Sequence, residues 1–154
     1  MKVHILTIHC IHNFGSVFQS MALQQFISSL GYDCDIIDYR PNYYFGGRNV
    51  VKKMLAVFLN LRSYIRQYKQ YESFINNNLR MTEKRFQSNK DLMIFYNSND
   101  VFVSGGDQIW NNYHPCGNDD AYKLLFVKDG NKFAFGTSIG RCDCSPADLL
   151  ELSN

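Results

Sequence analysis

A doubly wound α/β fold with a mostly parallel sheet is what this sequence predicts, and three observations predict it. Strand, helix and strand follow one another within residues 3–39, about the length of one βαβ unit. The first strand segment, residues 3–8, is almost continuously apolar, as in a sheet covered on both faces. Two of the strand segments run into polar, glycine-bearing loops, HNFGS at 12–16 and GGDQIWN at 105–111. Such loops occupy the position where open α/β sheets bind ligands, beyond the carboxyl ends of their strands and beside the free N–H groups of helix N-termini.

Residues 3–8 read as the first strand, followed by the loop CIHNFG. Ser16 then reads as a helix N-cap, with Gln19 completing a capping box and Leu23, Phe26, Ile27 and Leu30 at helical spacing. Gly31 ends that helix. CDIIDY at 34–39 is a second strand, parallel to the first across a crossover. Beyond Pro41 comes the aromatic and glycine-rich loop PNYYFGGRN, then a long helical region reaching Leu79. There Met54, Val57, Phe58, Leu61, Ile65 and Tyr68 mark one face, and Lys52, Lys53, Arg62, Arg66 and Lys69 the polar one. Residues 80–90 read as polar and irregular, 91–97 as a short helix, 101–104 as a strand, 132–138 as another strand and 146–152 as a helix.

Composition sets the outer limits. At 154 residues, 45% of them apolar, the chain buries one core and reads as a single domain over 1–154. The net charge of +2 is unevenly laid out: residues 41–90 hold ten Lys and Arg against two Glu, and residues 91–154 hold four against nine acids. This basic loop and helical insertion at 41–90 reads either as a solvated helix face or as a surface for an anionic partner, a membrane or an acidic glycan. No nucleic-acid partner is expected. His4 and His9 break the first ten residues, which lack a small-residue cleavage site, so no signal peptide is expected. The apolar run at 54–59 is too short to cross a bilayer. Five cysteines at irregular spacing fit a reducing compartment, and a cytoplasmic location is expected.

The two loops supply the candidate chemistry. Gly105 and Gly106 permit a tight turn at φ > 0 and a close approach of backbone to ligand. Behind them Asp107 can take a proton from a hydroxyl, Gln108 can donate and accept hydrogen bonds, and Trp110 can stack on a sugar ring or wall a pocket. The alternative is a plain Gly-Gly-Asp turn with Trp110 in the core. Asn13, Phe14, Gly15 and Ser16 form a helix entry that also suits a phosphate or carboxylate. His9, Cys10, His12, His114, Cys116, Cys142 and Cys144 include no CxxC pair and no HExxH helix, so no metal is expected. Cys10 and Cys34 read as small buried residues rather than nucleophiles.

Taken in order, ILTIHCIHNFGSVFQSMALQQFISSLGYDCDIIDYRP, VFVSGGDQIWN and KFAFGTSIG resemble the N-terminal part of the polysaccharide pyruvyl transferase family. Members of that family carry an Asn-Tyr-Gly loop before an Ala-Leu-Gln helix, a Gly-Tyr-Asp-Val-Glu-Ile-Ile-Asp-Tyr-Arg strand, a Gly-Ser-Asp-Gln-Val-Trp-Asn loop and a Tyr-Ala-Ala-Ser-Phe-Gly strand end. Here Phe14 stands for Tyr and Gly106 for Ser, while FGTSIG keeps Ser138 and Gly140. The resemblance implies a Rossmann-like domain, one half of a GT-B-like two-domain enzyme, with the family's C-terminal domain not among these residues. It implies pyruvate transfer from phosphoenolpyruvate, the donor substrate, to two sugar hydroxyls as a cyclic ketal in bacterial surface polysaccharide synthesis, with no other cofactor.

On this reading Asp107 is the base or hydroxyl-positioning group. Asn13, Phe14, Gly15, Ser16, Gln19, Gly105, Gly106, Gln108, Trp110, Asn111 and Ser138 hold the sugar or polysaccharide acceptor. The donor's histidine and arginine belong to the family's later half, so turnover requires that half, supplied in trans. The competing expectations are a non-catalytic glycan- or nucleotide-binding module and a degenerate fragment with an exposed apolar docking face.

Overall fold

The computed structural model describes residues 1–44, 61–128 and 131–140. Five strands are present: β1 (Val3–Leu6), β2 (Cys34–Tyr39), β3 (Met81–Phe86), β4 (Val101–Gly105) and β5 (Lys132–Phe135). Among the described residues three α-helices accompany them: α1 (Phe14–Ser29), α2 (Leu61–Asn78) and α3 (Asn89–Phe95). The sheet order is β3-β2-β1-β4-β5, and every neighbouring pair is parallel. This is a Rossmann-like α/β arrangement.

Side-chain alternation along the strands divides the core in two. Val3 and Ile5 of β1, Cys34 and Ile36 of β2 and Val103 of β4 pack with Val17, Leu23 and Ile27 of α1 and with Tyr71 and Ile75 of α2. On the other face Leu6, Ile37, Tyr39, Phe86 and Phe102 pack with Leu92 of α3 and with Ile109, Tyr122 and Phe126 from the connection between β4 and β5. Both faces are covered, so the few polar residues of the central strands, His4, Asp35, Asp38 and Ser104, are themselves buried. Each fully buried large side chain contributes roughly 1.5–3 kcal/mol of burial.

Strand order reverses beside β1. The chain steps outward from β1 through β2 to β3, then returns to pair β4 on the other side of β1 and finishes at β5. The ends of β1 and β4 lie side by side in register, Leu6 opposite Ser104. Connections leaving the two strands part company there, and a crevice opens between them.

Several boundaries differ from the sequence expectation. β1 stops at Leu6 and β5 at Phe135, because the chain turns away at the carboxyl edge in both places. The cap of α1 is Asn13, not Ser16: the Asn13 side chain, on extended backbone, accepts from the Ser16 N–H at 3.4 Å. Ser16 and Gln19 therefore lie inside the helix and form no capping box. α3 starts two residues before the expected 91, on a Ser88–Asp91 capping box.

The segment read as polar and irregular contains β3. This is an edge strand with only Phe86 buried. Glu83, Lys84 and Arg85 lie exposed along it, which protects a sheet edge and also erases the apolar signal of a strand. The expected helix at 146–152, the part of the long helix before residue 61, and Cys142 and Cys144 lie outside the described residues.

Candidate functional site

At the reversal point lies a cavity of about 630 Å3. The connection after β1 lines it with Ile8, Ile11, Asn13, Gly15, Ser16 and Gln19, and the connection after β4 with Asp107, Gln108, His114, Pro115 and Cys116. Tyr44, in a short 3-10 turn after β2, completes it. Polar groups able to meet hydroxyls thus stand against apolar walls, the usual make-up of a small-molecule site.

The β4 loop is shaped by its glycines. A Cβ on Gly105 would run into the Leu23 side chain and stand 3.2 Å from the Phe135 carbonyl oxygen, so a larger residue there would push Leu23 aside and crowd β5. Gly106 turns the chain at φ +145, a conformation that L side chains rarely adopt. Positive φ was expected at both glycines and is found at Gly106 alone. It occurs again at Gln108, at φ +55, where a non-glycine residue is costly.

Hydrogen bonds hold Gln108 in that conformation. Its N–H donates to the Ser138 hydroxyl at 2.9 Å, and that hydroxyl donates to Asp107 Oδ1 at 2.7 Å. The Asp107 N–H donates to Gln19 Oε1 at 3.1 Å, joining the loop to α1. Asn111 Nδ2 donates to Gln108 Oε1 at 3.2 Å, and the Trp110 N–H to the Ser138 carbonyl at 3.2 Å. One hydroxyl just beyond β5 therefore serves two consecutive residues of the β4 loop.

Asp107, Gln108, Asn13, Gly15, Ser16 and Gln19 converge on the cavity. Gly105 and Gly106 shape its loop from behind, while Asn111 and Ser138 brace Gln108 and Asp107. Phe14 is turned outward, 65% exposed, stacked on Phe18 and tilted against Tyr71. The Trp110 indole packs against the core, its N–H donating to the Tyr122 carbonyl at 3.0 Å, and it is not among the side chains that line this cavity. Tyr44 is a lining residue that the sequence did not nominate. Its ring comes from an aromatic-rich loop with no periodic pattern, and its buried hydroxyl has no hydrogen-bond partner among the described residues.

A second polar cluster lies below the first loop. His9 is wholly buried; its Nε2 lies 3.0 Å from Asp38 Oδ1 and its Nδ1 3.3 Å from the Thr7 carbonyl. Asp38 also accepts from Arg40 Nε at 2.6 Å and Arg85 Nε at 3.0 Å, and Arg40 Nη1 donates to Glu72 of α2 at 2.9 Å. Burial alone would raise the Asp38 carboxyl, but the donors from His9, Arg40 and Arg85 outweigh it and hold the group well below the usual carboxylate range. His12 stacks on Tyr71 with centroids 4.9 Å apart. Cys10 and Cys34 are buried, and burial pushes the Cys10 thiol up to about 12, far from a nucleophile's range.

A family model described as polysaccharide pyruvyl transferase matches residues 13–154 of the 154. No curated protein and no solved structure matches the chain.

Proposed function

This chain belongs to the polysaccharide pyruvyl transferase family, and from that premise we propose that the crevice between the β1 and β4 connections holds the sugar acceptor of a pyruvyl transfer. One observation carries the reading: Asp107 and Gln108, braced by Ser138, face the cavity together with Asn13, Ser16 and Gln19 from the opposite loop. These are carboxylate, amide and hydroxyl groups able to meet sugar hydroxyls, and the β4 loop is tied down by its hydrogen bonds to Ser138 and Gln19.

The transfer joins C2 of phosphoenolpyruvate to two acceptor oxygens, protonates the enol methylene and releases phosphate. It therefore needs a group to receive protons from the attacking hydroxyls. In this reading Asp107 is that group. Its Oδ1 is steadied by the Ser138 hydroxyl at 2.7 Å. Gln108 and Gln19 orient the acceptor, and the Tyr44 ring walls the cavity on its third side. In this reading the donor is gripped by residues of the family's second half, and residues 1–154 hold the acceptor.

Titration calorimetry against a panel of mono- and disaccharides tests this. Saturable binding is expected for at least one sugar, weakened tenfold or more by Asp107→Asn, with no phosphate released from phosphoenolpyruvate. Unchanged affinity in Asp107→Asn and Gln108→Ala would remove the crevice from the reading. Binding by the chain with no transfer even when a family C-terminal half is added would favour a glycan-binding module.

A further inference from the structure

We propose that the first half of α2, with the exposed phenylalanines at the start of α1, docks onto an anionic lipid surface and sets the cavity mouth beside it. The ten residues 61–70 are all exposed, and the first side chain of α2 to enter the core is Tyr71, followed by Ile75. Along this stretch Arg62, Arg66 and Lys69 recur at i, i+4 and i+7 on one side of the helix. The only acid in α2 is Glu72, whose carboxylate already accepts from the buried Arg40. The stretch is thus both cationic and uncovered.

Beside the cations stand Leu61, Tyr64, Ile65 and Tyr68, each between 42% and 48% exposed. The apolar surface continues onto α1. Phe14 packs on Tyr71 at 4.7 Å between centroids and on Phe18 at 6.2 Å, and Phe18 meets Phe74 at 5.6 Å, while Phe14 and Phe18 remain 65% and 48% exposed. A patch of this kind is more than the scattered apolar residues of an ordinary surface. It also reaches the cavity rim, because Phe14 sits between the lining residues Asn13 and Gly15.

Charge and shape select the occupant. Arg and Lys flanking aliphatic and aromatic side chains on an amphipathic helix suit a lipid interface, where the rings and Leu61 and Ile65 enter the headgroup boundary and the cations meet anionic headgroups. A second copy of the chain would bring three like charges against three. Single-stranded nucleic acid would use the rings but gain nothing from Leu61 and Ile65. No helix among the described residues is long and apolar enough to cross a membrane. The inference does not depend on the sugar reading, since lipid binding is measured without acceptor or donor.

Flotation of the 154-residue chain with vesicles of equal phosphatidylglycerol and phosphatidylcholine, and with phosphatidylcholine alone, is the test. Binding is expected to the anionic vesicles only, and to fall as salt rises to 0.5 M, roughly the range where screening confines charge effects to a few ångströms. The triple variant Arg62→Gln, Arg66→Gln, Lys69→Gln should bind about 100-fold more weakly, and Tyr64→Ser with Ile65→Ser should also weaken binding at unchanged charge. These positions are exposed, and circular dichroism checks that each variant stays folded. The proposal fails if the wild-type chain does not float with anionic vesicles, or if the triple variant floats equally well. It also fails if the patch is found buried in a solution dimer, or if an oligonucleotide binds it more tightly than the vesicles do.

Discussion

Two carboxylates at the same edge of the sheet meet opposite fates. Asp38, at the end of β2, is buried and receives donors from His9, Arg40 and Arg85. Asp107, just beyond β4, is exposed at a cavity and receives one side-chain donor, Ser138. The first has its lone pairs committed to the protein and ties the β1 connection to α2. The second keeps acceptor capacity toward the crevice. Burial and the number of donors, rather than residue type, separate a scaffold acid from one available to a ligand.

The largest effect expected from breaking this contrast is on the buried side. Asp38→Ala leaves Arg40 and His9 without their partner inside the protein and should cost about 3–5 kcal/mol in denaturant unfolding. A loss below about 1 kcal/mol would mean that the cluster is solvated in solution.

Acid should act through the same group. The folded Asp38 carboxyl lies below its unfolded value, near 3.9, so its contribution is complete above about pH 4 and is lost as pH falls from there toward the folded value. Asp35 works in the same direction: burial raises it, but His4 and Lys2 more than offset that, with His4 Nδ1 at 2.6 Å and Lys2 Nζ at 2.7 Å. The thermal midpoint should therefore drop between about pH 4 and pH 2, less steeply in Asp38→Asn. A midpoint flat across that range would contradict the arrangement.

Two smaller effects sharpen the comparison on the cavity side. Gln108→Gly relieves a positive φ and should leave stability unchanged or raise it by up to about 1 kcal/mol, while removing the amide that faces the cavity. Loss of stability would show that the Gln108 side chain braces the loop more than its backbone strains it. Asp107→Asn should change unfolding by no more than about 0.5 kcal/mol while weakening sugar binding. If Asp107→Asn instead unfolds the protein as Asp38→Ala does, both acids are scaffold.

Much of this was legible in the residues. CDIIDY gave β2 with its ends correct, because Cys34, Ile36, Ile37 and Tyr39 keep a β-branched and apolar character across the two aspartates. The glycine pair at 105–106 marked the turn after β4, with φ > 0 at Gly106. β3 was not legible, since an edge strand covered by charge looks like a loop. Nor was the cap of α1: both Asn13 and Ser16 can cap, and which one does depends on the angle at which the chain leaves β1. Trp110 shows the same limit. Its position after a glycine turn allows a cavity wall or a core residue equally, and the carbonyl of Tyr122 drew its indole to the core side.

By itself the sequence determined the layered α/β class, the order of most elements and the two loops that meet at the crevice. Each of these depends on periodicity or on glycine placed within a few residues. Tertiary structure alone decided that Ser138 reaches Asp107 across 31 residues, that His9, Asp38, Arg40 and Glu72 share one buried cluster, and that the first half of α2 stays uncovered. Those facts follow from which strands become neighbours and where each helix overhangs the sheet. No local pattern records the partner of a side chain brought in from a distant part of the chain.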